Sequence, residues 1–138
     1  MSSQKFNSQN APGPVGSYPH ARRVGDLLFL SGVGPRERGK KAMPGVTLDE
    51  NGKITSYDIE VQCHSVFANV KAILEDSGSS WDNLVDVTVF LTNMEVDFKT
   101  YNKIYAEYFK DNQPCRTTVE INCLPTPIAI ELKCIATI

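Results

Sequence analysis

Hydrophobic and polar positions recur with two different periods along this chain, and the change of period marks its elements. Between Tyr57 and Ser77 the residues Ile59, Cys63, Val66, Val70, Ile73 and Leu74 fall at helical spacing and form one apolar stripe. Ser56 or Asp58 stands where a helix cap belongs, and Gly78 supplies the stop. Asp97–Lys110 predicts a second amphipathic helix with Phe98, Tyr101, Tyr105, Tyr108 and Phe109 inward. Glu95 and Asp97 lie at its positive end and Lys110 at its negative end, as the macrodipole favours.

Elsewhere the period drops to two. Leu84–Leu91 places Val85, Val87, Val89 and Leu91 on one face of a strand. Leu27–Leu30 is all apolar and reads as a short strand buried on both faces, forming a hairpin with Tyr18–Val24 about Gly25-Asp26. Residues 34–55 read as irregular, with a turn at Asp49-Glu50-Asn51-Gly52. At the C-terminal end, Thr117, Val119 and Ile121 alternate with Arg116, Thr118, Glu120 and Asn122. A β-branched apolar run, Ile128–Ile138, follows the turn Leu124-Pro125-Thr126-Pro127 and is interrupted by Glu131 and Lys133. Both prolines lack a donor and belong in the turn, not the ladder.

The lone arginine opening one strand and the lone glutamate within the next are the leading candidates for a functional site. A four-residue turn pairs Cys123 with Ile128 and sets Arg116 and Glu131 on one face. A five-residue turn sets them on opposite faces, because a slip of one residue inverts every side chain. The shorter turn, and a shared face, is the expectation.

Helices grouped between strands predict an α+β fold, with a single sheet carrying both helices on one face. Too few elements remain to cover the other face, so its burial between subunits is expected. Residues 18–138 form one domain, and residues 1–17, rich in Ser, Asn, Gly and Pro, read as a loose arm.

Composition narrows the function. Of 138 residues, 41% are hydrophobic and 22% charged, with a net charge of −2. That balance calls for neither nucleic acid nor an acidic membrane as partner. The basic run Arg36-Glu37-Arg38-Gly39-Lys40-Lys41 reads as a solvated loop, since no interleaved aromatics accompany it. No apolar run approaches the roughly 18 residues of a membrane span. The polar N-terminus has no apolar leader core, which points to the cytoplasm. Cys63, Cys115, Cys123 and Cys134 form no C-x-x-C pair and read as small buried hydrophobes. His20 and His64 stand apart, with no metal-ligand spacing.

Several short runs, taken in order, resemble the Rid/YjgF family of enamine/imine deaminases over nearly the whole chain after residue 10. They are Ala11-Pro12 with Gly16-x-Tyr18, then Leu28-Phe29-Leu30-Ser31-Gly32. Asp97-Phe98, Asn102, Tyr105 and Phe109 follow, and then Pro114-x-Arg116-x-x-Val119, Leu124-Pro125, Ile130-Glu131 and Ile135-Ala136. The 2-aminomuconate deaminase branch is the more similar, through Pro19-His20, an arginine-bearing insertion after Gly32, and Arg116-Thr117-Thr118-Val119. Leu124-Pro125-x-Pro127 and Glu131-x-Lys133 also match that branch. Val33 and Thr118 depart from the imino-acid branch, where Gln and Cys are usual.

The resemblance implies a chorismate-mutase-like α+β fold assembled as a homotrimer, with sites in clefts between subunits. It also implies a cofactor-independent, metal-free hydrolytic deaminase whose partner is a small carboxylate substrate. In that reading Arg116 clamps the carboxylate with two parallel donors, and Glu131 positions water and moves protons. Gly32 lends its N–H, Tyr18 walls the cleft, Asn102 sits at its edge and Thr118 lines it beside Arg116. The alternatives are a broad 2-iminopropanoate/2-iminobutanoate deaminase, a non-catalytic ligand-binding or regulatory trimer, and an RNA-acting protein.

Overall fold

The computed structural model describes residues 3–138. Its elements are β1 (Ser3–Phe6), β2 (Ala21–Val24), β3 (Leu27–Leu30), β4 (Val46–Leu48), β5 (Ile54–Tyr57) and α1 (Ile59–Asp76). A 3-10 turn at Trp81–Asn83 leads into β6 (Leu84–Leu91), followed by α2 (Met94–Tyr108), β7 (Cys115–Glu120) and β8 (Ile130–Thr137). Six strands form one mixed sheet in the order β1-β2-β3-β8-β6-β7, while β4 and β5 pair with each other. The expected α+β architecture is present, with both helices on one side of the main sheet.

Local chemistry sets the helix ends. Asp58 caps α1 by accepting from the N–H groups of Glu60 and Val61. The helix closes in a Schellman arrangement, Ser79 N–H to the Leu74 carbonyl at 2.8 Å and Gly78 N–H to Glu75 at 3.2 Å. Its apolar stripe is buried as expected from Cys63 to Leu74, with Ile59 only partly buried. α2 starts three residues before the expected position, because Asn93 accepts from Val96 N–H and the Glu120 carboxylate takes the Met94 N–H. Tyr101, Tyr105 and Phe109 point into the core, but Phe98 and Tyr108 reach the rim instead. Phe67 of α1 stands edge-on to Trp81, Tyr105 and Phe109, locking the two helices together.

Four local expectations are corrected first. Residues 3–6 are not a loose arm: they pair with β2 from Ser3↔Val24 to Phe6↔Ala21, and Met1 and Ser2 lie outside the described residues. His20 extends that order, since its Nδ1 accepts from Ser8 N–H at 2.8 Å and its Nε2–H donates to the Pro12 carbonyl at 2.6 Å. Residues 34–55 are not irregular throughout: they hold β4 and the start of β5, which pair around the expected turn. β3 is buried on one face only, with Leu27 41% and Phe29 36% exposed on the other. Cys63 and Cys134 are buried, and burial pushes both thiols up to about 12, whereas Cys115 and Cys123 are exposed.

The largest correction concerns the C-terminal strands. They do not form a hairpin, because β6 inserts between them, parallel to β7 and antiparallel to β8. Residues 121–129 cross the end of β6, bonded to it through Ile121 N–H to Leu91 and Thr92 N–H to Ala129. In the resulting register Val87 aligns with Arg116 on one side and Cys134 on the other. Phe90 aligns with Val119 and Glu131. Glu131 and Cys134 differ by an odd number of positions, so Arg116 faces the helices and Glu131 faces the open side. The shared face expected from a four-residue turn is therefore absent.

Candidate active site

The sheet divides the expected site residues into two groups. Glu131, Gly32 and Tyr18 gather at a cleft of about 100 Å³. Its walls are Pro12–Val15, the exit of β3 from Ser31 to Arg36, and the crossing loop at Pro125, Thr126 and Ile128. After Gly32 the chain turns back onto β8, where Val33 and Leu132 exchange two backbone bonds of 2.8 and 2.9 Å. That exchange brings the backbone against Glu131. A Cβ on Gly32 would lie 2.9 Å from Glu131 Oε2, so only glycine leaves the carboxyl its place.

Glu131 has neither a cation nor a hydrogen-bond donor among the described residues. Lys133, two positions along, donates to the Leu30 carbonyl instead of pairing with it. Burial raises the Glu131 pKa above the usual carboxylate value and lowers that of Lys133. A carboxyl held this way keeps its proton more readily than an exposed one, a shift in the direction acid–base work requires. The Gly32 N–H likewise meets no acceptor among the described residues. Ser31 fixes the approach, with its hydroxyl on the Pro19 carbonyl at 2.7 Å and its N–H on the His20 carbonyl at 3.0 Å. Tyr18 stands at the mouth and accepts from Val15 N–H at 3.3 Å.

Arg116, Asn102 and Thr118 form the second group, on a ledge where edge strand β7 meets α2. Arg116 Nη1 donates to Asn102 Oδ1 at 2.8 Å. Its guanidinium carbon lies 4.7 Å from the Tyr105 ring centroid and 5.6 Å from that of Tyr101. Thr118 Oγ1 meets the Tyr101 hydroxyl at 3.0 Å. Arg116 pairs with no carboxylate among the described residues, so an oriented cation stands free at the protein surface.

His20, Ser31, Thr126 and Arg36 belong to the cleft but were not among the residues expected from sequence. Pro19-His20 and Ser31-Gly32 were visible as motifs, yet nothing in their spacing shows that His20 ties the cleft wall to β1. Thr126 occupies the unspecified position of Leu124-Pro125-x-Pro127 and carries no signal of its own. Among the described residues no helix is long and apolar enough to cross a membrane.

Comparisons with known proteins establish the family. The sequence profile of the family described as Endoribonuclease L-PSP matches residues 8–138. A RutC family protein of Pyrococcus abyssi is 36% identical over 136 residues, covering 99% of this chain and 98% of that protein. Reactive Intermediate Deaminase A of Arabidopsis thaliana is 36% identical over 132 residues, covering 96% of this chain and 64% of that protein. The crystal structure of Escherichia coli TdcF with bound serine superposes with a TM-score of 0.83 at 28% identity, covering 98% of each chain. The chain belongs to the Rid/YjgF family, the group that carries the Endoribonuclease L-PSP description and includes a reactive intermediate deaminase.

Proposed function

We propose that this protein hydrolyses enamine and imine carboxylates, releasing ammonia, at a site completed by two copies of the chain in a homotrimer. The observation that carries the reading is the isolated, half-buried Glu131 carboxyl set against Gly32 in an open cleft. Family membership beside a reactive intermediate deaminase supports the same class of reaction.

The opposite placement of Arg116 and Glu131 supports the shared site. One chain cannot bring both to a small substrate, but the exposed β7 edge of one copy can reach the uncovered sheet face of the next. Leu27 and Phe29 on that face supply the apolar contact such an assembly buries. Arg116 of one subunit then orients the carboxylate, and Glu131 of its neighbour faces the imine carbon.

In the reaction, Glu131 helps the enamine tautomerise by moving its proton from nitrogen to carbon. Water adds to the imine carbon and gives its proton to Glu131, forming a carbinolamine. Glu131 returns that proton to nitrogen, then takes the hydroxyl proton of the carbinolamine and passes it to the same nitrogen as the carbon–nitrogen bond breaks, so that ammonia and a keto acid leave. The Gly32 N–H serves as a donor to the developing oxyanion. No step requires a cofactor.

The finer substrate we propose is 2-aminomuconate. A second reading, the small 2-imino acids, is favoured by the likeness to TdcF with bound serine. Turnover of 2-aminomuconate against 2-iminopropanoate generated in situ, read as ammonia release, separates them. Failure to turn over either compound contradicts the deaminase reading. The RNA-acting alternative finds little support, since Arg38 donates to the carbonyls of Ser8 and Ala11 and the chain carries a net charge of −2. Salt-sensitive retention of RNA on a filter would revive it.

A further inference from the structure

Arg36 lines the same cleft as Glu131 yet has no part in the chemistry described above. One guanidinium nitrogen, Nη2, donates to the Gly13 carbonyl at 2.6 Å, which leaves the other donors of the group available. No carboxylate pairs with it among the described residues, and Glu131 stands beyond ion-pair distance. The cleft therefore holds a half-buried cation and a half-buried carboxyl that do not neutralise each other.

Arg36 is also held firmly. Asn69 of α1, itself buried, donates to the Gly34 carbonyl at 2.9 Å and to the Arg36 carbonyl at 2.8 Å. Ser65, one turn earlier on the same helix, donates to the Pro35 carbonyl at 2.6 Å. Three consecutive carbonyls are thus fixed by a rigid helix, and the guanidinium is tethered at its far end by Gly13. A solvated surface arginine gains nothing from such support, whereas a group that must meet a ligand at a set place does.

Building on the deaminase reading, we infer that Arg36 binds a second anionic group of the substrate, so that the protein prefers dicarboxylate over monocarboxylate enamines and imines. In the assembled site Arg116 of the neighbouring copy takes the carboxylate beside the reacting carbon. Arg36 takes the one at the far end of the molecule. Guanidinium and carboxylate pair through two parallel hydrogen bonds, so the second contact selects for position as well as charge.

The test is binding of hexa-2,4-dienedioate against hexa-2,4-dienoate, two chains of equal length that differ by one carboxylate. Titration calorimetry on the wild-type protein should show the dianion bound at least about tenfold tighter, the effect of one charge-assisted contact. Arg36→Gln should shrink that ratio to about twofold, and Arg36→Lys should keep part of it. Equal affinities in the wild type overturn the inference, and so does an unchanged ratio in Arg36→Gln. Because binding is read without turnover, failure of the deaminase reading stays distinguishable. A dianion preference lost with Arg36 upholds the subsite even if no imine is hydrolysed. Turnover of imines with no dianion preference upholds the deaminase and removes Arg36 from its specificity.

Discussion

The cleft around Glu131 and the ledge around Arg116 are built from opposite materials. In the cleft a carboxyl is partly withdrawn from water, without a partner among the described residues, and pressed against the backbone of Gly32. On the ledge a guanidinium stays exposed, with Asn102 at its side and two tyrosine rings beneath it. Burial shifts the proton affinity of the first group, which suits it to move protons. The second is a fixed charge, always protonated, which suits it to hold an anion still. The sheet lies between the two groups, and in the proposed reading association of chains is the means of rejoining them.

Altering either side alone should cause the largest losses. Glu131→Gln is expected to lower kcat by about 10²–10⁴-fold, the usual contribution of one positioned acid–base group, with ligand affinity retained. The same variant should be the more heat-stable near neutrality. The folded state raises the Glu131 pKa, so the stability this group contributes is complete below its unfolded pKa and declines as pH rises through the folded value. Melting curves of the two proteins should coincide in acid and separate above that window. Arg116→Ala should reduce kcat/KM by about 10²–10³-fold through loss of two charge-assisted bonds, with an unchanged mass in solution.

Smaller changes sharpen the contrast. In Gly32→Ala the new Cβ would displace the Glu131 carboxyl, so kcat should fall by about 10- to 10²-fold while the melting temperature barely moves. Tyr105→Phe should do least to activity, because the ring beneath Arg116 remains. The Tyr105 hydroxyl is buried without a partner among the described residues, and its removal should raise the melting temperature by roughly 3 °C. A large loss of substrate affinity in that variant would show that the ledge depends on the hydroxyl and not on the ring.

How much of this could be read from the chain depended on whether a feature is local. The helices were legible because a stripe such as Cys63, Val66, Val70 and Leu74 encodes both its period and its buried face. The β2–β3 hairpin was legible too, since Gly25 takes a φ of 62° at the first central position of a two-residue turn. β1 escaped because a short edge strand of polar residues is held by backbone bonds and by His20, neither of which alters composition. The bulge in β6 between Leu84 and Asp86 turned Val85 outward against a strict alternation.

The division of the candidate site was hidden for a deeper reason. Arg116 and Glu131 follow each other across a Pro-rich segment that suits a tight turn. Whether that segment turns or crosses depends on β6, contributed from some thirty residues upstream of Arg116. Strand order is a non-local property, and parity between two strands cannot be fixed until the strand between them is known. The family resemblance named the residues and implied one cleft between subunits for them, but the face each one occupies had to come from the coordinates.

Mixing two inactive proteins tests the shared site most directly. Arg116→Ala keeps Glu131, and Glu131→Gln keeps Arg116, so subunits of both kinds, dissociated and reassembled together, can complete each other. With equal amounts and random assembly, about a quarter of the sites should be intact and deaminase activity should return to about that fraction of wild type. Activity no greater than that of the two variants kept apart would contradict a site built from two chains.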